Sequence, residues 1–304
     1  MRISDIYSKF AFSICLLFSS AMAQANSVAC FTSNMGQFCI ELFDTQTPVT
    51  TANFLRYIDS GAYTNGIFHR SVPDFVIQGG GFKIVDGASG KSLAAVNTFP
   101  PIVNEFKISN TRGTVAMAKL GGNPNSATSQ WFVNLINNSA NLDNQNGGFT
   151  VFGRVLFDGM NVFDAIAKLK IVNLGSSLKA TPTISISGTV HSTDDLVQIS
   201  HVETADVTGV FSDGILSFPV DIGSGQTYTV NLRLLSDKPD YVFQLDPVSA
   251  ATLSVKPSNI ATFPSGNGQL HIPSVMINPS TIAKNVLMQL TDPGSYTFTL
   301  VSYE

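Results

Sequence analysis

Charge is scarce in this chain. Asp, Glu, Lys and Arg make up 12% of its 304 residues, about half the share in an average soluble domain. Combined with 44% hydrophobic residues, that scarcity excludes intrinsic disorder, which requires low apolar content and high charge, and suits a β-rich exported protein. Runs of Lys or Arg are absent and the formal net charge is −4, so the electrostatic footprint of a nucleic-acid binder is missing. Beyond the N-terminal stretch, no segment reads as membrane-spanning, since a helix needs roughly 20 apolar residues to cross a bilayer. There are only three cysteines and four histidines, and none stand at zinc-site spacing, so neither a metal nor another cofactor is expected. A hydrolase is excluded because no Ser-His-Asp set or pair of carboxylates can be identified.

The N-terminus carries Arg2 and Lys9, an apolar stretch from Phe10 to Phe18, and small residues ending in Ala21-Met22-Ala23 or Ala23-Gln24-Ala25. That order of basic, apolar and small-residue regions reads as a signal peptide over residues 1–25, and implies export to a periplasm or secretion. Removing it leaves Cys30 and Cys39 on either side of Ser33-Asn34-Met35-Gly36. A hairpin centred on Asn34-Met35 would set the two cysteines opposite each other, and a disulfide would be reasonable in an oxidising compartment. A turn shifted by one residue would instead leave two free thiols.

The length exceeds what one core usually serves, so two domains are expected, 26–205 and 206–304. In the first, Thr47-Pro48 reads as an N-cap and first-turn proline, with Val49, Ala52, Leu55 and Ile58 recurring on one face and Gly61 ending the helix. A second helix follows Asp158-Gly159, with Met160, Phe163, Ile166 and Leu169 on its apolar face. Short strand-like segments between and around them, punctuated by Gly, Asn and Pro, predict a mainly β barrel capped by two helices. After Asp206 the texture becomes strands broken by Ser, Thr, Gly and Pro, with an internal repeat over about 210–248 and 263–304. Gly214-Ile215-Leu216-Ser217-Phe218-Pro219 returns as Gly268-Gln269-Leu270-His271-Ile272-Pro273, and Tyr241-Val242-Phe243-Gln244-Leu245 returns as Tyr296-Thr297-Phe298-Thr299-Leu300. Two copies, each too small to bury its own face, predict a β-sandwich-like domain.

The densest stretch runs Phe68-His69-Arg70-Ser71-Val72-Pro73-Asp74-Phe75-Val76-Ile77-Gln78-Gly79-Gly80-Gly81-Phe82. A second block is Gly113-Thr114-Val115-Ala116-Met117-Ala118, continuing through Ser126-Ala127-Thr128-Ser129-Gln130-Trp131-Phe132-Val133-Asn134. A third is Leu142-Asp143 with Val151-Phe152-Gly153-Arg154-Val155. These three ordered blocks resemble the signature of the cyclophilin family of peptidyl-prolyl cis/trans isomerases. The resemblance runs from about Val28 to Leu196-Val197-Gln198-Ile199, with extra residues around 175–193. It implies an eight-stranded antiparallel barrel closed by two helices, and proline-containing polypeptides as substrates.

By the same resemblance, Arg70 and Gln78 match the family's catalytic positions, the guanidinium serving as a permanently protonated donor to the twisted amide. Phe75, Phe132 and Leu142 match the lining of the proline pocket, with Val76 and Ala118 nearby, and Gln130 matches a polar position beside it. His69 reads as a packing or hydrogen-bonding residue, because bond rotation transfers no proton. The three glycines after Gln78 read as tight backbone geometry and not as a phosphate loop, which would need a following Lys-Ser/Thr. The chain also departs from the family pattern. Asn141 stands where animal enzymes carry tryptophan, which implies weak cyclosporin binding. Phe149 replaces a pocket histidine, as in other bacterial members. Lys119 and Leu120 replace residues that contact the peptide, which implies an altered preference for the residue before proline. A non-catalytic scaffold that only holds proline-containing segments is the competing expectation. No partner for the 206–304 domain can be read from its residues.

Overall fold

The computed structural model describes residues 27–44, 46–88, 90–223, 226–253, 259–264 and 266–304. The leader-like residues 1–25 lie outside them. The chain divides into two compact units: Val28–Phe43 with Thr47–Ala205, and a second whose body is Asp206–Glu304. Among the described residues no helix is long and apolar enough to cross a membrane.

The first unit is built on an eight-stranded sheet of β1 (Ser27–Ser33), β2 (Gly36–Leu42), β3 (Arg70–Val72), β4 (Val76–Gly79), β7 (Thr114–Met117), β8 (Trp131–Asn134), β9 (Val151–Leu156) and β12 (Ile199–Asp206). Their order across the sheet is β12-β1-β2-β9-β7-β8-β4-β3. The two ends meet through backbone bonds from Phe68 N to Val197 O at 3.1 Å and from Ile199 N to Gly66 O at 2.8 Å. Two small hairpins flank it, β5 (Phe82–Gly87) with β6 (Gly90–Ala95) and β10 (Lys170–Val172) with β11 (Thr181–Thr183). The β1–β2 turn falls at Ser33–Gly36 and makes Cys30 and Cys39 cross-strand partners, with Cα atoms 4.1 Å apart and joined by a disulfide. One residue along, Phe31 and Phe38 face each other and stack with ring centroids 4.9 Å apart.

Inside this sheet lies an aromatic core of Phe31, Phe38, Phe54, Tyr63, Phe68, Trp131, Phe152 and Phe163, each 1% exposed or less. Edge and tilted contacts dominate, as in Phe54–Trp131 at 85° and Phe68–Trp131 at 81°, the geometry that ring quadrupoles favour.

Helix α1 (Pro48–Asp59) forms where the Thr47-Pro48 signal places it, but its buried face differs from the sequence expectation. Phe54 and Tyr57 enter the core with Thr50, Thr51 and Asn53, while Val49 and Ala52 face solvent and Leu55 and Ile58 are only partly covered. Two aromatic rings bury more area than the Val/Ala/Leu/Ile stripe, and they set the helix rotation. Thr47 also makes no side-chain cap. Its hydroxyl instead donates to Phe43 O, and the Glu105 carboxylate accepts from Val49 N, Thr50 N and the Thr50 hydroxyl. A carboxylate from a distant loop thus satisfies the free N–H groups of the first turn and complements its dipole. A single-turn α2 (Ser139–Leu142) follows β8, and α3 (Gly159–Ala167) buries Phe163 and Ile166 of its expected face together with Val162, while Met160 and Leu169 are partly covered.

The second unit corrects the sandwich expectation. Strands β13 (Gly209–Ser212), β14 (Ile215–Asp221), β15 (Thr227–Ser236), β16 (Val242–Thr252), β17 (Ala261–Thr262), β18 (Gln269–Asn278), β19 (Thr281–Asp292) and β20 (Thr297–Ser302) form one sheet, in the order β13-β14-β15-β16-β20-β19-β18-β17. Parallel pairings of β13 with β18 and β14 with β17 close it into a barrel. The repeat explains the closure. Each copy supplies a short strand and a three-stranded meander, and each short strand pairs antiparallel with its own copy and parallel with the other. The copies also meet at β16–β20, where Phe243 faces its repeat mate Phe298. Phe211 of β13 sets its ring edge-on to Phe243, and Phe263, just after β17, sets its ring edge-on to Phe298. Exchanging strands removes the free edges that two stacked sheets would keep.

Candidate functional site

The β3–β4 hairpin turns through Pro73-Asp74-Phe75, with Asp74 at φ 55° in the left-handed region that a short polar side chain tolerates. The turn makes Arg70 and Gln78 cross-strand partners. Arg70 Nη1 donates to Gln78 Oε1 at 3.4 Å, and Gln78 Nε2 donates in turn to Gln130 Oε1 at 2.7 Å. The guanidinium is half-buried, and burial lowers its pKa below the ordinary arginine value. Its carbon lies 5.9 Å from the centre of the Phe75 ring.

Beside this polar line lies a second apolar cluster, distinct from the aromatic core. Val76, Ala116, Phe132, Leu142 and Val151 are buried in it, and Phe75, Ala118 and Phe149 are partly exposed around it. Strand alternation produces the separation. On β4, Ile77 enters the aromatic core while Val76 and Gln78 face the site. On β8, Trp131 and Val133 enter the core while Phe132 faces the site. Phe132 sits opposite Ala116, which also pairs with Val151, and Phe149 meets the Phe132 ring edge-on at 5.8 Å.

A buried asparagine network fixes the rim of this cluster. Asn134 donates to Asn110 Oδ1 and to the Thr114 hydroxyl, and accepts from Asn138. Asn138 also donates to Phe75 O, and Asn110 donates to Phe149 O and to the Asp143 carboxylate beside Leu142. Three residues around the cluster are therefore held through one set of side-chain amides. Burial alone would raise the Asp143 pKa, but the side-chain and backbone N–H donors of Asn110 bring it below the usual carboxylate value.

His69 is 3% exposed and packs edge-on to Phe82 at 5.3 Å. Burial, with a smaller contribution from the Arg70 charge, lowers its pKa from 6.5 to about 4 despite a hydrogen bond with Gln130. The imidazole is therefore neutral at neutral pH. Among the three glycines, Gly80 has φ 77°, and a Cβ there would lie 2.4 Å from Ser129 O, while one on Gly81 would lie 3.0 Å from both Gln130 and His69. The glycines let β4 close on the Ser129–Trp131 segment, consistent with tight backbone geometry. Lys119 reaches across the rim, donating to Asn146 O and Gly148 O with its ammonium 4.9 Å from the Phe149 ring centre. Asn141 is exposed and its side-chain oxygen accepts from Gln145.

The residues that the sequence nominates for pocket and catalysis, Arg70, Phe75, Val76, Gln78, Ala118, Gln130, Phe132, Leu142 and Phe149, converge on this region, with Lys119 on its rim. Ala116 and Val151 stand in the motif blocks but are not assigned to the pocket from sequence, and neither is the Asn110–Asn134–Asn138 network. Two-residue alternation through Thr114–Ala118 would have found Ala116, since it shares a strand face with Ala118.

A closed antiparallel sheet with an apolar slot on its outer face, edged by a half-buried arginine and two linked glutamines, defines a cyclophilin-like domain. The family model for cyclophilin type peptidyl-prolyl cis-trans isomerases matches residues 28–190. A peptidyl-prolyl cis-trans isomerase of Acinetobacter baylyi is 41% identical over 162 residues, covering 52% of this chain and 81% of the relative. Peptidyl-prolyl cis-trans isomerase B of Escherichia coli is 42% identical over 153 residues, covering 48% of this chain and 86% of the relative. A crystal structure of a cyclophilin type peptidyl-prolyl cis-trans isomerase from Cryptosporidium parvum aligns with TM-score 0.43 and 24% identity, over 59% of this chain and 98% of that one. The chain belongs to the cyclophilin type peptidyl-prolyl cis-trans isomerase family.

Proposed function

We propose that this chain accelerates rotation about the bond preceding proline in exported polypeptides, with Arg70 stabilising the twisted amide. The uncatalysed barrier is ~18–20 kcal/mol because twisting removes resonance across the C–N bond. No covalent bond is made or broken, so catalysis requires only that the twisted form bind better than either planar form. In the twisted form the prolyl nitrogen regains a lone pair and accepts from a fixed guanidinium donor. One observation carries this reading: half-buried Arg70, tied to Gln78, stands at the edge of the cluster around Val76, Phe132 and Leu142, which offers an apolar slot for the proline ring. Gln78 and Gln130 form one hydrogen-bonded line with Arg70 and orient it. A neutral His69 fits a reaction that transfers no proton.

Residues 26–205 are the isomerase domain in this proposal and 206–304 a separate β-rich domain. The leader-like sequence of residues 1–25 and the Cys30–Cys39 disulfide support an exported, oxidising setting, a periplasm or secretion. Lys119, braced against the 146–148 loop, shapes the rim where the residue before proline would lie. The test is a protease-free isomerisation assay on a proline peptide with wild type and Arg70→Ala. Wild type no faster than the variant would leave a proline-binding scaffold as the function.

A further inference from the structure

The barrel of residues 206–304 contains an apolar cavity of about 230 Å³. Phe211, Leu216, Phe243, Ala283, Val286 and Met288 form its inner walls. Tyr241 and Tyr303 also line it, and at 46% and 57% exposed they mark its mouth. Among the described residues no charged or amide side chain contributes to the lining.

The cavity lies where the two copies of the repeat differ. Ser274 follows Val220 by 54 residues, the spacing that also separates Leu216 from Leu270. Across the sheet, Val220 faces Tyr228 and Ser274 faces Lys284. Tyr228 is 3% exposed and belongs to the barrel core, whereas Lys284 is exposed to solvent. The first copy thus contributes a buried aromatic ring at a position where the second contributes none, and the neighbouring wall of the second is the small Ala283. Lys284 exchanges two backbone hydrogen bonds with Glu304, which fix the adjoining Tyr303 beside the opening.

We propose that this cavity is a binding site for a compact, uncharged aromatic group, supplied either by a free small molecule or by a side chain of a polypeptide. An apolar cavity of ~150 Å³ in an unrelated protein is enough to take up benzene, so the space here accommodates a larger ring. Water inside would find few polar partners and gains little by staying. A charged ligand would meet no counter-charge on the described walls and would lose its hydration. The two rim tyrosines offer rings to an apolar group and hydroxyls to solvent. Strands of a closed barrel hold the walls in place before binding, which reduces the ordering cost.

Indole is the probe, titrated into the full-length protein by calorimetry, with the Ala283 methyl followed by NMR. One saturable site is expected, weakened at least tenfold in Ala283→Phe. Ala283→Leu adds less bulk and should give a graded loss if the phenylalanine variant fails to fold. Arg70→Ala should bind indole as wild type does, so failure of the isomerase reading and failure of this one are distinguishable. Competition by acetyl-Ala-Phe-Ala amide but not by acetyl-Ala-Ala-Ala amide assigns the group to a polypeptide side chain. Indole binding without that competition assigns it to a small molecule. No uptake of indole at millimolar concentration, or equal uptake by wild type and both Ala283 variants, overturns the proposal.

Discussion

The apolar slot beside Arg70 and the cavity in the 206–304 barrel are lined by the same kinds of side chain, and they differ at their edges. The slot is bordered by a guanidinium linked to two glutamines and by a rim fixed through buried asparagines. The cavity is bordered by two exposed tyrosines. Apolar walls select a ligand by size and by its lack of charge, and that suffices for binding. Catalysis of rotation needs in addition a donor held in place before the lone pair develops, because only an interaction stronger in the twisted state lowers the barrier. The contrast predicts that polar-edge changes affect rate and stability in the isomerase unit, while changes to the barrel walls leave isomerisation alone.

The largest expected effect comes from removing the donor. Arg70→Ala should lower kcat/KM by ~10²–10³-fold, the usual scale for losing one preorganised donor, with little change in unfolding by urea because the side chain is only half-buried. Ala283→Phe in the barrel should leave kcat/KM within about twofold of wild type, since a pocket walled by residues of the 206–304 unit contributes neither the donor nor the slot of the isomerase unit. Equal losses in both variants would erase the distinction between the two regions.

Next in size is the pH response of the polar edge. The pKa of His69 is about 4 in the folded protein against 6.5 for an ordinary histidine. Between those values the unfolded chain binds the proton that the folded chain refuses, so stability rises with pH across that window. The contribution is complete above about pH 6.5 and falls away towards pH 4, by roughly 3 kcal/mol in all. Urea titrations at pH 7, 6 and 5 should show the slope in wild type and a flatter one in His69→Asn. An unchanged slope in the variant would assign the effect to other groups.

The asparagine network should matter somewhat less. Asn134→Ala strands Asn110 Oδ1 and an Asn138 donor in a buried setting, at a cost of about 2 kcal/mol in unfolding free energy. Because Asn138 holds Phe75 and Asn110 holds Phe149, a several-fold rise in KM should accompany it. A loss of stability with unchanged KM would mean that the network supports the fold without shaping the slot.

The sequence was most legible where a residue's chemistry is local. The hairpin around Asn34-Met35 follows from turn chemistry and is found in the structure, and the motif around Phe75-Val76-Ile77-Gln78 is contiguous enough to be recognised whole. The α1 face was misread because equal weight for Val49, Ala52, Leu55 and Ile58 hides the larger area of Phe54 and Tyr57. Glu105 as the cap of α1 was invisible, since it acts from 55 residues away along the chain. In the second unit the repeat was plain, but whether its copies stack as sheets or exchange strands depends on the pairings of β13 and β17. Those strands contain four and two residues, too few for a periodic signal.

The smallest expected effect tests how far the slot's apolar surface extends. Asn141 stands exposed beside Leu142, and its side-chain oxygen is engaged by Gln145. A large apolar macrocycle such as cyclosporin would find a small amide there in place of an indole, losing apolar contact area. Asn141→Trp should restore that area and tighten cyclosporin binding at least tenfold, while kcat/KM for a short proline peptide changes by less than about threefold, because Arg70 and the slot floor are untouched. Calorimetry with cyclosporin on wild type and variant reads the first, and the protease-free assay reads the second. If the variant gained peptide turnover as much as drug affinity, the rim would belong to the catalytic surface, and the line between binding wall and chemical edge would have to be redrawn beyond Asn141.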